Sequence, residues 1–295
     1  MQRLGRARRA LGFLIAWLPF LAKVPRATPN RQVDYSDFLV GHFRQRADRP
    51  ALIGEASSLT WGELDALANR VAHWAIGEGL SRGDVVGLMM ENRPEYVAIW
   101  LGLSRVGIVS SLLNTHLTGD RLAHCIREAG MRHLIVGREL AEAAASALPE
   151  LDPAPRVLLA DDPGQAPSPG EADSASEDEV PLALAAAESF DEAVAACSPG
   201  AVAEAHRHDR LGSDGLFLIY TSGTTGLPKA ANISHARALA AAIGSWKLTR
   251  LSPSDRVYCC LPLYHSAGGV MSVGGALLSG ATFVVVRRFS TKRFW

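Results

Sequence analysis

Between Gly62 and Gly77 the apolar residues Leu64, Leu67, Val71 and Trp74 fall on one stripe at helical spacing, which predicts a helix led in by Ser58-Leu-Thr-Trp61. A turn at Gly83-Asp84 then opens a short apolar run, Val85 to Met90, that reads as a strand. Pro94 suits the first position of a helix running to about Val106, and Ile108 to Leu113 reads as a second strand. A helix from Asp120 to Ala129 and a strand from Arg132 to Val136 continue the alternation. Repeated strand–helix–strand units imply an α/β fold: parallel sheets with helices on both faces. Further along, the pattern predicts a helix over Leu182 to Ala196, a buried strand over Leu216 to Tyr220 and a helix over Ser234 to Trp246. It ends with a strand over Arg256 to Leu261, a small, Gly-rich helix over Ala267 to Leu278 and a last strand over Thr282 to Val286.

One segment breaks the alternation. Asp161 to Pro181 holds seven acids, four prolines and no basic residue, too little apolar surface to order itself, and reads as a solvated acidic insertion. It divides the chain into an α/β portion over 33–160, the insertion over 161–181, and a second α/β portion over 182–295. Ahead of these, 1–32 carries Arg3, Arg6, Arg8 and Arg9, then an apolar run from Ala10 to Ala22. As a helix that run reaches only about 20 Å, short of the roughly 30 Å hydrocarbon core, and Pro19 interrupts it. No small-x-small cleavage site follows. It is either a cap helix with a basic end or an interfacial anchor. The second is preferred, with the arginines on anionic headgroups and Phe13, Trp17 and Phe20 at the acyl boundary.

Composition narrows the classes. With 295 residues the chain is long enough for about two domains, and 48% hydrophobic against 20% charged residues implies buried cores. Net charge +0 argues against a nucleic-acid partner. Cys125, Cys197, Cys259 and Cys260 show no C-x-x-C spacing, so they read as reduced, mostly buried thiols of a cytoplasmic protein, for which the N-terminal segment leaves association with the cytoplasmic membrane face open. His206 and His208 lack neighbouring acids and read as loop residues rather than metal ligands.

The chemistry concentrates after the strand at Leu216 to Tyr220. Thr221, Ser222, Thr224 and Thr225 supply four hydroxyls, Gly223 and Gly226 two glycines, and Lys229 a cation, all within nine residues. Glycines let backbone N–H groups turn toward a ligand, and hydroxyls and an ammonium add donors, so the loop suits a polyphosphate. It is not a Walker A loop, because Pro228 precedes Lys229 and Ala230 follows it. The chain has only four lysines (Lys23, Lys229, Lys247 and Lys292), so a lysine here marks a wanted compact charge. A polar surface turn without a ligand is the alternative.

The full string Ile219-Tyr-Thr-Ser-Gly-Thr-Thr-Gly-Leu-Pro-Lys-Ala230 resembles the phosphate loop of the adenylate-forming (AMP-binding) superfamily of acyl-CoA synthetases, luciferases and adenylation domains. Leu261-Pro-Leu-Tyr-His-Ser-Ala-Gly-Gly269 resembles the segment lining the acyl and pantetheine end of acyl-CoA synthetases. Arg288-Phe-Ser-Thr-Lys-Arg-Phe-Trp295 resembles a segment of the fatty acid transport proteins, also called very-long-chain acyl-CoA synthetases, and Glu91-Asn-Arg-Pro-Glu-Tyr96 is similar to the superfamily's first βαβ unit. The resemblance runs from about Asp34 to Trp295, with the acidic insertion as a departure.

That resemblance implies ATP, Mg²⁺ and coenzyme A, and a fatty carboxylate activated as an acyl-adenylate and passed to the thiol. It assigns the nucleotide to Tyr220, Thr221, Ser222, Gly223, Thr224, Thr225, Gly226, Leu227, Pro228 and Lys229, with Thr221 also reaching the metal. Tyr264 and His265 fall at the acyl and thioester end, with Gly268 and Gly269 leaving room for a chain to pass. The family's Tyr-Gly-x-Thr-Glu and Thr-Gly-Asp segments and its mobile C-terminal domain do not occur in this sequence. The expectation is therefore an N-terminal part of the fold with little or no ligase activity of its own and its main catalytic residues beyond Trp295. A fatty-acid uptake factor, a non-catalytic nucleotide- or lipid-binding remnant, and an adenylating enzyme for aryl or amino acids stay open beside it.

Overall fold

The computed structural model describes residues 32, 34–163, 180–207, 210–222, 226–292 and 294. The N-terminal anchor reading and the body of the acidic insertion lie outside them. Eleven strands among the described residues form two sheets. They are β1 (Pro50–Ile53), β2 (Ser58–Thr60), β3 (Val85–Met89), β4 (Val109–Leu112), β5 (His133–Gly137), β6 (Arg156–Ala160), β7 (Glu188–Ser189), β8 (Gly215–Ser222), β9 (Pro228–Ser234), β10 (Arg256–Cys259) and β11 (Thr282–Val285). Interleaved are α1 (Val40–Gln45), α2 (Trp61–Gly77), α3 (Pro94–Arg105), α4 (Gly119–Glu128), α5 (Ala141–Ala145), α6 (Phe190–Ala195), α7 (His235–Thr249) and α8 (Val273–Ser279).

The larger sheet runs β7-β6-β5-β3-β4-β8-β9, the smaller β10-β11-β1-β2. Every pair is parallel except β1–β2 and β8–β9. The α/β class stands, with antiparallel strands at one edge of each sheet. Neither sheet follows a boundary at 161–181. β8 and β9 join the strands of the first portion, while β1 and β2 join β10 and β11 from the far end of the chain.

Alternation along the central strands shows why helices cover both faces. Leu88, Ile135 and Leu158 point into one core with Trp61, Trp100 and Phe217, beneath α2 and α3. Their neighbours Met89, Leu134, Val136, Val157 and Leu159 point into the other core, against Leu122 and Ile126 of α4. Trp100 links the elements of the first core by edge contacts, 5.6 Å to Tyr35 and 5.1 Å to Phe217 between ring centroids. Helix α2 begins with a capping box. Thr60 Oγ1 accepts from the Glu63 N–H at 3.2 Å, and the Thr60 N–H donates to Glu63 Oε2 at 2.8 Å. Helix α3 begins at Pro94, as the sequence predicts.

Three expectations change. The helix expected over Leu182 to Ala196 resolves into a 3₁₀ turn (Leu182–Leu184), β7 and the short α6, because Ser189 caps a helix start at Phe190 by accepting from the Glu192 N–H. The Gly-rich helix opens as a π-helix over Ser266–Ser272 before α8. Strand β9 was not foreseen, because its Pro-Lys-Ala-Ala-Asn sequence has poor strand propensity and its side chains are mostly exposed at the sheet edge.

Candidate functional site

The parallel strands β3, β4 and β8 end on the same edge of the larger sheet, and that edge carries the candidate chemistry. Strand β8 delivers Thr221 and Ser222, and β9 returns antiparallel, pairing Thr221 with Lys229 and Ser222 with Pro228. The glycine- and hydroxyl-rich string is thus the connection of a hairpin, not a strand-to-helix turn. Directly opposed residues of an antiparallel pair point to the same face, so the Thr221 hydroxyl and the Lys229 ammonium stand together, both exposed. Gly226 has φ +87 with open space around it, so conformation rather than room demands glycine there. Leu227 is exposed. Gly223, Thr224, Thr225 and the Ser222 side chain lie outside what the structure describes.

Tyr220 faces inward instead. It is buried, and its hydroxyl lies 2.8 Å from Ser111 Oγ on the strand β4 side and donates to the Cys125 carbonyl at 3.2 Å. Burial raises its pKa, so it stays a neutral anchor for the strand beneath the loop rather than a ligand-facing group. Cys125 is buried too, and burial pushes its thiol up to about 12, which keeps it unreactive.

The second segment meets this edge through Asn92, three residues past the end of β3. Its Nδ2 donates to the carbonyls of Leu261 (2.9 Å) and Val286 (3.1 Å), and its Oδ1 accepts from the Leu263 N–H at 2.8 Å. One side chain thereby ties the turn bearing Tyr264 and His265 to both sheets. Strand β8 stands two strands from β3, roughly 10 Å at ordinary strand spacing. Tyr264 is buried with its ring centroid 4.6 Å from that of His265, which is exposed. Tyr96, buried behind them, has its hydroxyl pKa raised by desolvation and then by the neighbouring Tyr264.

At Gly268 a Cβ would strike the Pro262 carbonyl oxygen, and at Gly269 that of Leu263, so close approach of the chain's own backbone by itself demands glycine at both positions. Beyond the turn, Arg93 lies 3.0 Å from both oxygens of buried Glu139, and Arg287 pairs with Asp162 and Glu91. Asn92 and Arg93 lie inside Glu91-Asn-Arg-Pro-Glu-Tyr96, so the sequence marked the segment, but nothing local indicated that Asn92 would reach residues 169 and 194 positions away.

The exposed donors fit a phosphate ligand, with a cation and a hydroxyl side by side at a hairpin mouth. Among the described side chains at this mouth, Thr221 offers a hydroxyl for Mg²⁺, which fits an ion held chiefly by water and substrate phosphates.

Comparison with known proteins identifies the family and the fold. The chain is 36% identical over 264 residues to long-chain fatty acid transport protein 1 of Rattus norvegicus, a match covering 85% of this chain and 37% of that protein. It is 31% identical over 270 residues to the medium/long-chain-fatty-acid–CoA ligase FadD6 of Mycobacterium tuberculosis, covering 91% of this chain and 40% of that one. The chain therefore spans well under half the length of these relatives. Its fold matches the anthranilate CoA ligase AuaEII in complex with anthranoyl-AMP, at TM-score 0.73 and 23% identity over 88% of this chain and 46% of that one. It also matches the N-terminal domain of FACL13 from Mycobacterium tuberculosis, at TM-score 0.70 and 22% identity over 89% and 59%. With residues 41–295 matching the description "AMP-binding enzyme", the chain belongs to the AMP-binding family.

Proposed function

We propose that this chain carries the nucleotide-gripping part of an ATP-dependent ligase that joins long- or very-long-chain fatty acids to coenzyme A. The observation that carries the reading is the exposed Thr221–Lys229 pair at the mouth of a Gly/Thr-rich hairpin, on the carboxyl edge of a parallel sheet. In such a reaction a carboxylate oxygen attacks the α-phosphorus of ATP, releasing pyrophosphate and leaving an acyl-adenylate. The thiol sulfur then attacks the acyl carbonyl and AMP departs. The first step brings anions together, so donors must offset charge on the phosphates. Lys229, the hydroxyls and the loop N–H groups are assigned that work. Mg²⁺ would add positive charge there, with Thr221 among its oxygen ligands.

Tyr264 and His265 are assigned to the acyl and thioester end, on a turn whose place Asn92 sets. The fatty-acid substrate class is supported by relatives named for long-chain fatty acid transport and for medium- and long-chain fatty acid ligation. Peripheral contact of residues 1–32 with the cytoplasmic membrane face would suit such a substrate. Among the described residues no helix is long and apolar enough to cross a membrane.

Calorimetric titration of residues 1–295 with Mg-ATP is the test. Saturable binding abolished by pyrophosphate supports the grip, and no binding at millimolar ATP sinks it. In the same preparation, acyl-CoA formation from palmitate would overturn the expectation of little or no turnover. Displacement of bound nucleotide by an aryl-adenylate analogue in preference to a fatty-acyl one would replace the substrate class.

A further inference from the structure

Helix α4 touches both stems of the hairpin loop through two consecutive residues. The Cys125 carbonyl accepts from the hydroxyl of Tyr220, the neighbour of Thr221. His124 Nε2 lies 3.2 Å from the carbonyl oxygen of Pro228, the neighbour of Lys229. A carbonyl only accepts, so Nε2 carries the proton and donates. The need for this second contact follows from the sequence of β9. That strand is the edge of its sheet, paired only with β8, and most of its side chains are exposed. It starts at Pro228, which has no N–H to give to the ladder, so the pair nearest the loop, Ser222–Pro228, lacks a donor on the β9 side. The loop-side end of β9 would otherwise fray away from the strand that carries Thr221.

We infer that His124 is a positioning residue that sets Lys229 against the bound phosphates by holding the Pro228 carbonyl. It does not touch the nucleotide. Its role is to keep the ammonium in register with the Thr221 hydroxyl, while Tyr220 does the same for the other stem. The inference rests on the loop's being a nucleotide grip, and deepens that reading.

The test compares His124→Leu, which fills the space without a donor, with His124→Gln, whose side-chain N–H can reach the same carbonyl. Two readouts are taken on residues 1–295: Mg-ATP affinity by calorimetry, and amide hydrogen exchange at Lys229 and Ala230 without nucleotide. His124→Leu should bind ATP about five- to tenfold more weakly, the change that loss of one net hydrogen bond carries, and should exchange those amides faster with the melting midpoint held. His124→Gln should stay within about twofold of the parent. Parent-like affinity and exchange in His124→Leu would overturn the inference while leaving the phosphate loop standing, as would equal weakening by Leu and Gln. Absence of ATP binding by the parent would instead remove the loop reading and, with it, the assigned role of His124.

Discussion

Asn92 gives the sharpest quantitative test of how the two sheets are joined. Asn92→Ala removes one acceptor and two donors at once. The Leu263 N–H is left in a buried environment, where an unmet donor costs about 1–3 kcal/mol. The Leu261 and Val286 carbonyls belong to half-exposed residues that water can reach, so each adds only about 0.5–1 kcal/mol. The sum is about 2–5 kcal/mol, a large share of the roughly 5–15 kcal/mol that stabilises a typical native protein. Asn92→Asp should be worse at neutral pH, since its carboxylate would face two carbonyl oxygens with nothing to donate. That site raises the new carboxyl's folded pKa above its unfolded value, so the folded state binds more protons. The stability of Asn92→Asp should then recover as pH falls through the raised folded pKa. Urea unfolding followed by circular dichroism, at pH 7.5 and at pH 5, reads both effects. Asn92→Ala within 0.5 kcal/mol of the parent (~0.5 being the usual spread of neutral surface changes), or Asn92→Asp more stable than Asn92→Ala at pH 7.5, would refute the clamp.

Other changes separate ligand grip from packing. Lys229→Ala, at an exposed position, should weaken Mg-ATP binding about tenfold or more while moving the melting midpoint by no more than about 1 °C; calorimetry and thermal denaturation check the two halves. Gly102→Ala should destabilise by about 1–3 kcal/mol, because a Cβ there meets the Ala68 carbonyl oxygen at 2.5 Å and Val71 Cβ at 2.6 Å across the α2–α3 contact. The helix-propensity gain of roughly 1 kcal/mol is too small to reverse that, and a urea midpoint at or above the parent's would contradict it. His235 is fully buried and its pKa is lowered by desolvation, with Asp34 and Asp214 pulling it up and Arg210 pushing it down. The unfolded chain then binds the extra proton, so stability present above the unfolded value near 6.5 should be lost as pH falls toward the lower folded pKa. His235→Gln should flatten the stability slope between pH 7 and pH 5, and an unchanged slope would rule His235 out as its source.

The class of fold was legible in the chain itself, and so was the string on which the proposed chemistry rests. The stripe of Leu64, Leu67, Val71 and Trp74 marked α2, Pro94 marked the start of α3, and the short apolar runs marked β3, β4 and β8, because periodicity and helix-start chemistry are local properties. The Gly/Thr/Lys string was equally visible, since glycines, hydroxyls and a lone lysine crowd together without any help from the fold. What local pattern could not carry was partnership across the chain. Nothing near Pro50–Ile53 announces that it pairs with Thr282–Val285, and nothing in Pro228–Ser234 overrides its poor strand propensity except the waiting edge of β8. Nor does anything near Gly268 and Gly269 announce that the backbone of Pro262 and Leu263 packs against them. Sequence alone decided which residues carry donors and which runs are apolar. Only the tertiary structure set Thr221 beside Lys229, bolted the His265 turn to the sheet through Asn92 and brought His124 to the loop's stem, because hydrogen bonds between distant segments form only after packing has brought them within about 3 Å.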